Sequence, residues 1–281
     1  MARAYYYLRY PQGKAKAITL SYDDGVDQDI RLIELMEKHG FKGTFNLNYG
    51  KMAPEGTVYE AGRIHRPMPL SMCKKTYASP NVEVAIHGLT HPRLERLTAP
   101  EVMHEVIEDR KGLEKEFGGV IRGMAYPYGT YNDMVVDVLR LSGVAYARTT
   151  QATERFDIPK DWLRMPATCH HRHPRLMELA EEFDAMQVKT DPVLFYLWGH
   201  TYEFERDNNW DVIERFFDRM QGKDDVWYAT NIEIYDYVKA YEALCYSADG
   251  CCVQNPTATD VWLGNEQGSV CIPAGQTVKL P

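Results

Sequence analysis

No stretch of the sequence approaches 18 consecutive apolar residues, so no helix is long enough to span a bilayer. The opening residues, MARAYYYLRYPQGK, lack the apolar core and small-residue cleavage site of a secretory leader, and a cytoplasmic location is expected. No basic run is long enough to track a phosphate backbone. With 32 Lys+Arg against 40 Asp+Glu the net charge is -8, which argues against nucleic acid and acidic membrane surfaces as partners. None of the six cysteines (Cys73, Cys169, Cys245, Cys251, Cys252 and Cys271) forms a C-x-x-C pair, so reduced thiols are expected. A disulfide, if any, is expected among the four that follow residue 244. There is no internal repeat and no low-complexity segment.

The chain has 281 residues, 44% of them hydrophobic and 26% charged, enough for one large barrel or two ordinary domains. Short β-branched or aromatic runs alternate with amphipathic helical stretches. Strands are expected at 17–22, 44–47, 82–86, 121–126, 144–148, 163–167, 193–198 and 226–229. Asp27, Thr98 (with Glu101), Asn132, Asn209 and Asn231 are expected as helix caps, Pro174 as a helix start and Gly40 as a helix stop. Seven or eight β-then-α units imply parallel strands with crossover helices, and a (β/α) barrel suits that count better than an open sheet. The barrel is expected over 1–245. From 246 to 281, recurring turn signals separate short β runs. This segment is expected to be a small antiparallel β appendage that packs on the barrel or on a second subunit, giving a route to an oligomer.

Barrels of this kind carry chemistry where strands end. Four expected strand ends carry polar or metal-capable turns: Asp23-Asp24-Gly25, His87-Gly88-Leu89-Thr90-His91, Tyr126-Pro127-Tyr128-Gly129 and Gly199-His200-Thr201. Two imidazoles and a carboxylate suit zinc or a similar divalent ion with positions left open for water. A neighbouring carboxylate can act as base on that water, and His200 as acid on the departing group.

Together these motifs resemble the polysaccharide deacetylase family, the NodB-homology or carbohydrate esterase family 4 type. Ser21-Tyr22-Asp23-Asp24 matches its T-F-D-D, His87 to His91 its H-[S/T]-x-x-H, and Leu197 to His200 its L-x-x-H. Ala125-Tyr126-Pro127-Tyr128 matches its R-x-P-Y only in part. The resemblance implies a distorted (β/α)7 barrel. It implies Asp24, His87 and His91 as ligands of a divalent metal, zinc first, with cobalt, nickel or manganese as alternatives. It further implies Asp23 as catalytic base, His200 as acid and the Tyr128 backbone N–H at the oxyanion. The substrate would be an acetylated carbohydrate, N-acetylated before O-acetylated. Tyr126, Pro127, Trp198 and His170 are expected to line its site.

Two departures accompany the match. Ala125 stands where the family has the arginine that orients the base; Arg122 or Arg148 could substitute. Asp161-Trp162 is the nearest approach to the family's Asp that supports the acid histidine. The resulting alternatives are a hydrolase of a small non-sugar amide or ester, and a catalytically silent carbohydrate-binding barrel. Glu203, Glu205 and Asp207 are expected to be solvated, and His39, His65 and His104 to be surface histidines. The run Cys169 to His173 is read as rim or supporting groups ahead of a second metal site.

Overall fold

A computed structural model describes residues 5–281. The first four residues of the stretch read for a leader lie outside them. After a short strand, β1 (Tyr7–Arg9), nine strands form one parallel sheet. They are β2 (Lys16–Asp23), β3 (Gly43–Leu47), β4 (Val82–Ile86), β5 (Gly123–Ala125), β6 (Tyr146–Ala152), β7 (Met165–Ala167), β8 (Cys169–His170), β9 (Val193–Gly199) and β10 (Val226–Tyr228). The two ends of the order β7-β6-β5-β4-β3-β2-β9-β8 are consecutive in the chain, with only Thr168 between them. β7 pairs with β6 and β8 pairs with β9, so this segment closes the sheet into a distorted (β/α)7 barrel. Thr168 makes the join with backbone and side chain: its N–H donates to the Tyr196 carbonyl (2.9 Å), and its hydroxyl accepts the Tyr196 N–H (3.0 Å). β10 pairs with the lower half of β2, below the start of β3.

The helices are α1 (Asp29–His39), α2 (Leu70–Thr76), α3 (Ala99–Phe117), α4 (Asp133–Leu141), α5 (Leu176–Ala185), α6 (Tyr202–Arg206), α7 (Asp211–Met220) and α8 (Asn231–Glu242). Gly40 ends α1 at φ 74, a conformation that strains any side chain, and Thr98 with Glu101 forms the capping box of α3. Other caps differ from expectation by a residue or two. Gln28 precedes α1, because the Asp27 carboxylate is engaged by Arg66. Thr230, boxed with Glu233, opens α8, because Asn231 is committed to the barrel floor. Trp210 rather than Asn209 precedes α7, and α5 starts at Leu176, beyond Pro174.

Side chains alternate across a strand, and this alternation divides core from lumen. Ile18, Leu20 and Tyr22 of β2 pack outward with Leu32, Ile33 and Met36 of α1. Thr19, Ser21 and Asp23 point the other way and bond to polar groups across the lumen: Thr19 donates to Asn231 (2.8 Å), while Asn46 donates to Ser21 (2.9 Å) and to Asp23 (2.8 Å). At the floor, Glu83 accepts from Thr44 (2.8 Å), Tyr146 (2.6 Å) and the Ile232 N–H (2.9 Å), tying the start of α8 into the barrel. Burial pushes this carboxyl up to about 7.

The C-terminal segment forms two small sheets. β11 (Cys245–Tyr246), β12 (Cys252–Gln254) and β15 (Thr277–Lys279) make one; β13 (Val261–Asn265) and β14 (Gly268–Ile272) form a hairpin that recruits β1 into the other. Both rest on α8 through Ala240, Leu244, Val253, Val261, Leu263 and Ile272. All six cysteines are free thiols. Among the described residues no helix is long and apolar enough to cross a membrane.

Candidate active site

The lumen's polar column ends at the upper mouth of the barrel. The inward parity of β2, β6 and β9 delivers Asp23, Arg148 and Trp198 there, and the residues just after the strands add Asp24, His87, His91 and His200. Asp24, at φ 82, and His91, at φ 58, are both held in the left-handed region. One ligand atom each from Asp24, His87 and His91 lie within 4.8 Å of one another. Asp24 Oδ1 is 3.8 Å from Nε2 of His87 and 3.8 Å from Nε2 of His91.

The protonation of these groups suits a cation. His87 Nδ1 donates to the carbonyl of Ala125 (2.8 Å), which leaves the lone pair on Nε2, the atom facing Asp24. Burial, and then His87, push the His91 imidazole down to about 4, so it is neutral. Burial works to raise Asp24, but the hydrogen bond from His65, with the His200 imidazole behind it, outweighs it and holds the carboxylate well below its usual range. The turn that carries the two histidines is itself anchored. Asn48 donates to the carbonyls of His87 (2.6 Å) and Gly88 (2.6 Å), and the buried Asp109 accepts the backbone N–H of His87 (3.0 Å) and of Tyr49 (2.7 Å).

Asp23 is 2% exposed. Both its oxygens are gripped by Nη2 of Arg148, and Asn46 donates to one of them. Burial would raise this carboxyl; Arg148, with His87 and His200 behind it, lowers it instead. Arg148 is fully buried, its guanidinium 4.3 Å from the ring centre of Trp198. Arg122, the other substitute considered, pairs with Asp236 on the exterior. The register of β5 against β6 sets Ala125 beside Arg148, so the arginine stands at the expected level, displaced by one strand.

Across from the cluster of Asp24, His87 and His91, His200 Nε2 is 3.7 Å from Asp23 Oδ2 and its Nδ1 is 3.5 Å from Glu203 Oε2. Burial would lower His200, but Glu203 and the aspartates raise it. Glu203 is buried rather than solvated, and its Oε2 also lies 3.1 Å from His170 and 3.2 Å from His171. Burial opposes ionisation there, yet the three imidazoles hold the carboxylate far below its usual range. Gly199 makes room for this packing, since a Cβ there would lie 2.0 Å from His171 Nδ1. His170, His200 and Glu203 also bring ligand atoms within 4.8 Å of one another, but His170 Nδ1 accepts the Arg172 N–H (3.1 Å). Its proton therefore sits on Nε2, facing Glu203, which is a donor's arrangement and not a ligand's. Asp161 supports no histidine; it accepts the Leu163 N–H (3.0 Å) and pairs with Arg164.

The expected substrate residues divide. Tyr126 is 1% exposed, donates to the Leu163 carbonyl (2.7 Å) and belongs to the core. Pro127 and Trp198 are buried, whereas His170 keeps surface at the rim. Tyr128, at φ 60, is 53% exposed and packs its ring 4.6 Å from that of His91. Among the histidines expected at the surface, His39 is buried and bonded to Gln221 (2.8 Å), and His65 reaches the site, its Nε2 3.3 Å from Asp24 Oδ2. Glu205 and Asp207 are bound by arginines, Arg66 and Arg206 respectively.

Comparison with known proteins finds the family model for polysaccharide deacetylases matching residues 8–147, about half of the chain, a span that holds Asp23, Asp24, His87 and His91 but stops short of Arg148. No curated protein matches the sequence. Among solved structures, a Mycobacterium smegmatis protein assigned to the polysaccharide deacetylases superposes with TM-score 0.57 at 15% identity, over 84% of this chain and 94% of that one. The Xyl-CE4 domain of a multidomain xylanase, from the hindgut metagenome of the termite Trinervitermes trinervoides, gives 0.53 at 13% identity over 81% and 92%. A mutant of a Bacillus anthracis CE4 pseudoenzyme with restored enzymatic activity gives 0.50 at 17% identity over 82% and 70%. At these identities the likeness is one of fold.

Proposed function

This chain belongs to the polysaccharide deacetylase family, and from that premise we propose that it is a metal-dependent hydrolase removing acetyl groups from a carbohydrate, N-acetylated in preference to O-acetylated. The reading rests on one convergence: Asp24, His87 and His91 turned toward a common point, with Asp23 and His200 beside it. Those three residues would hold the cation, zinc or a close substitute such as cobalt, nickel or manganese. A divalent ion so bound acidifies water and polarises a carbonyl oxygen.

The chain's own groups supply the rest. Asp23, kept anionic and aimed by Arg148 and Asn46, takes the proton of the attacking water. His200 carries a proton on its raised imidazole and gives it to the departing group. An amide nitrogen leaves only when protonated, which favours the N-acetyl substrate. Glu203 stabilises the charged imidazole from behind. The Tyr128 backbone N–H assists at the oxyanion, and His170 and Tyr202 offer rings to the sugar at the rim. The silent-barrel alternative drew on Ala125; the grip of Arg148 on Asp23 supports the active reading instead.

Cation analysis joined to acetate release across N- and O-acetylated glycans tests the reading. Asp24→Ala and His91→Ala should lose the cation and all turnover. Asp23→Asn should keep the cation and lose about 10²- to 10⁴-fold in kcat. Acetate release that survives chelation, or that Asp23→Asn leaves intact, overturns it.

A further inference from the structure

The long irregular segment between β3 and β4 carries one residue into the site, and its backbone is laced there. Directly after Asp24, the Gly25 carbonyl accepts the Met68 N–H (2.9 Å), the Asp27 N–H donates to the Arg66 carbonyl (3.0 Å), and Val26 bridges Pro67 antiparallel. On one flank, Gln28 donates to the Ile64 carbonyl (2.6 Å). On the other, the Arg66 guanidinium binds Asp27 (2.7 Å) and takes both oxygens of Glu205 (2.7 Å each), fastening the segment to α6. His65, between the two, has its ring edge-on to Tyr202 at 5.1 Å.

So fixed, His65 meets the oxygen of Asp24 that the triad leaves over. Oδ1 faces His87 and His91; Oδ2 is 3.3 Å from His65 Nε2. A carboxylate only accepts, so Nε2 is the donor. The Asp24 backbone is pinned too, its N–H on the Asn46 carbonyl (3.0 Å) at a φ of 82.

We infer that His65 is a positioning residue for the cation site: it holds Asp24 Oδ2 by an Nε2–H donor and so presents Oδ1 as a single-oxygen ligand. The inference rests on the proposed function, since it takes Asp24 as a ligand. Groups bonded to a ligand's far side fix its orientation, and their loss typically costs about 10- to 100-fold in metal affinity.

The experiment is cobalt binding by the full-length protein, stripped of metal, in competition with a chromophoric chelator. The proteins compared are wild type, His65→Ala, His65→Gln and His91→Ala, with thermal unfolding run alongside. His65→Ala should bind about 10- to 100-fold more weakly than wild type. His65→Gln, which returns an N–H donor to the same reach, should recover most of that loss. His91→Ala should bind none at the site. Wild-type affinity in His65→Ala, with His91→Ala still unable to bind, overturns the role of His65 and leaves the proposed function standing. Equal weakening by Ala and Gln also overturns it, since bulk rather than the donor would then matter. A wild type that binds no cobalt, or a His91→Ala that binds normally, sinks the proposed ligand set and this inference with it.

Discussion

Ala125 and Arg148 are ladder neighbours in β5 and β6, and it is Arg148 that grips the carboxylate of Asp23. Side chains paired across adjacent parallel strands point to the same face. A guanidinium can therefore move sideways by one strand and still reach the same target. Removing it leaves a buried anion uncompensated, which costs about 3–5 kcal/mol. Arg148→Met should lower the unfolding midpoint and cut kcat while leaving bound cation in place. Arg148→Lys should retain the charge and most of the stability but lose kcat, because an ammonium lacks the planar guanidinium that packs on Trp198 and aims Nη2 at both oxygens. Full activity in Arg148→Lys would show that charge alone suffices.

The displacement should be reversible. In the double variant Ala125→Arg/Arg148→Ala the guanidinium returns to the neighbouring strand at the same height, with the vacated volume beside it. Turnover is expected to exceed that of Arg148→Ala alone. A double variant no better than the single one would mean that the two positions are not equivalent in reach.

Glu203 should set the alkaline limit of activity. His200 is raised chiefly by Glu203; with His200 as the proposed proton donor, kcat/KM should fall as pH rises through its elevated value. In Glu203→Gln that limb should move to lower pH, with cation content unchanged. The stability that the pair contributes follows the same sign. It is fully present below the ordinary imidazole value of 6.5 and is lost as pH climbs through the folded one. An unmoved alkaline limb would remove Glu203 from this role.

The barrel floor should weaken as pH rises. Glu83 titrates at about 7 against an ordinary 4.5, so it binds its proton more tightly folded than unfolded. Its contribution is fully present below 4.5 and declines through about 7, by ~3 kcal/mol in all. Glu83→Gln should flatten this part of the stability profile between pH 5 and 8, measured by urea unfolding. A variant that keeps the wild-type slope would place the loss elsewhere, with Asp29 or Asp109 next in line.

What the sequence disclosed tracks how local each signal is. Asp23, Asp24, His87, His91 and His200 sit at strand ends or in the turns that follow them, and their residue types point to the proposed chemistry. Arg148 could be nominated but not chosen, because choosing it requires the register of β5 on β6. Glu203 offered one hint, its spacing of three from His200, a turn's reach, and its N–H does donate to the His200 carbonyl (3.1 Å). His65 offered none, since only the fold of an irregular segment brings it to Asp24. Asp161 misled because an Asp-Trp pair also serves as the cap of a short turn. β1 escaped notice because three residues leave no periodicity to read, and its partner β13 lies at the other end of the chain.

The join at Thr168 has a mechanical corollary. One short segment zips β6 to β9 and runs straight into His170 and His171. The aperture is thus framed, on that flank, by the seam of the cylinder itself. It cannot gape on that side without unpicking the wall, because the backbone bonds that close the cylinder are the ones that carry the rim.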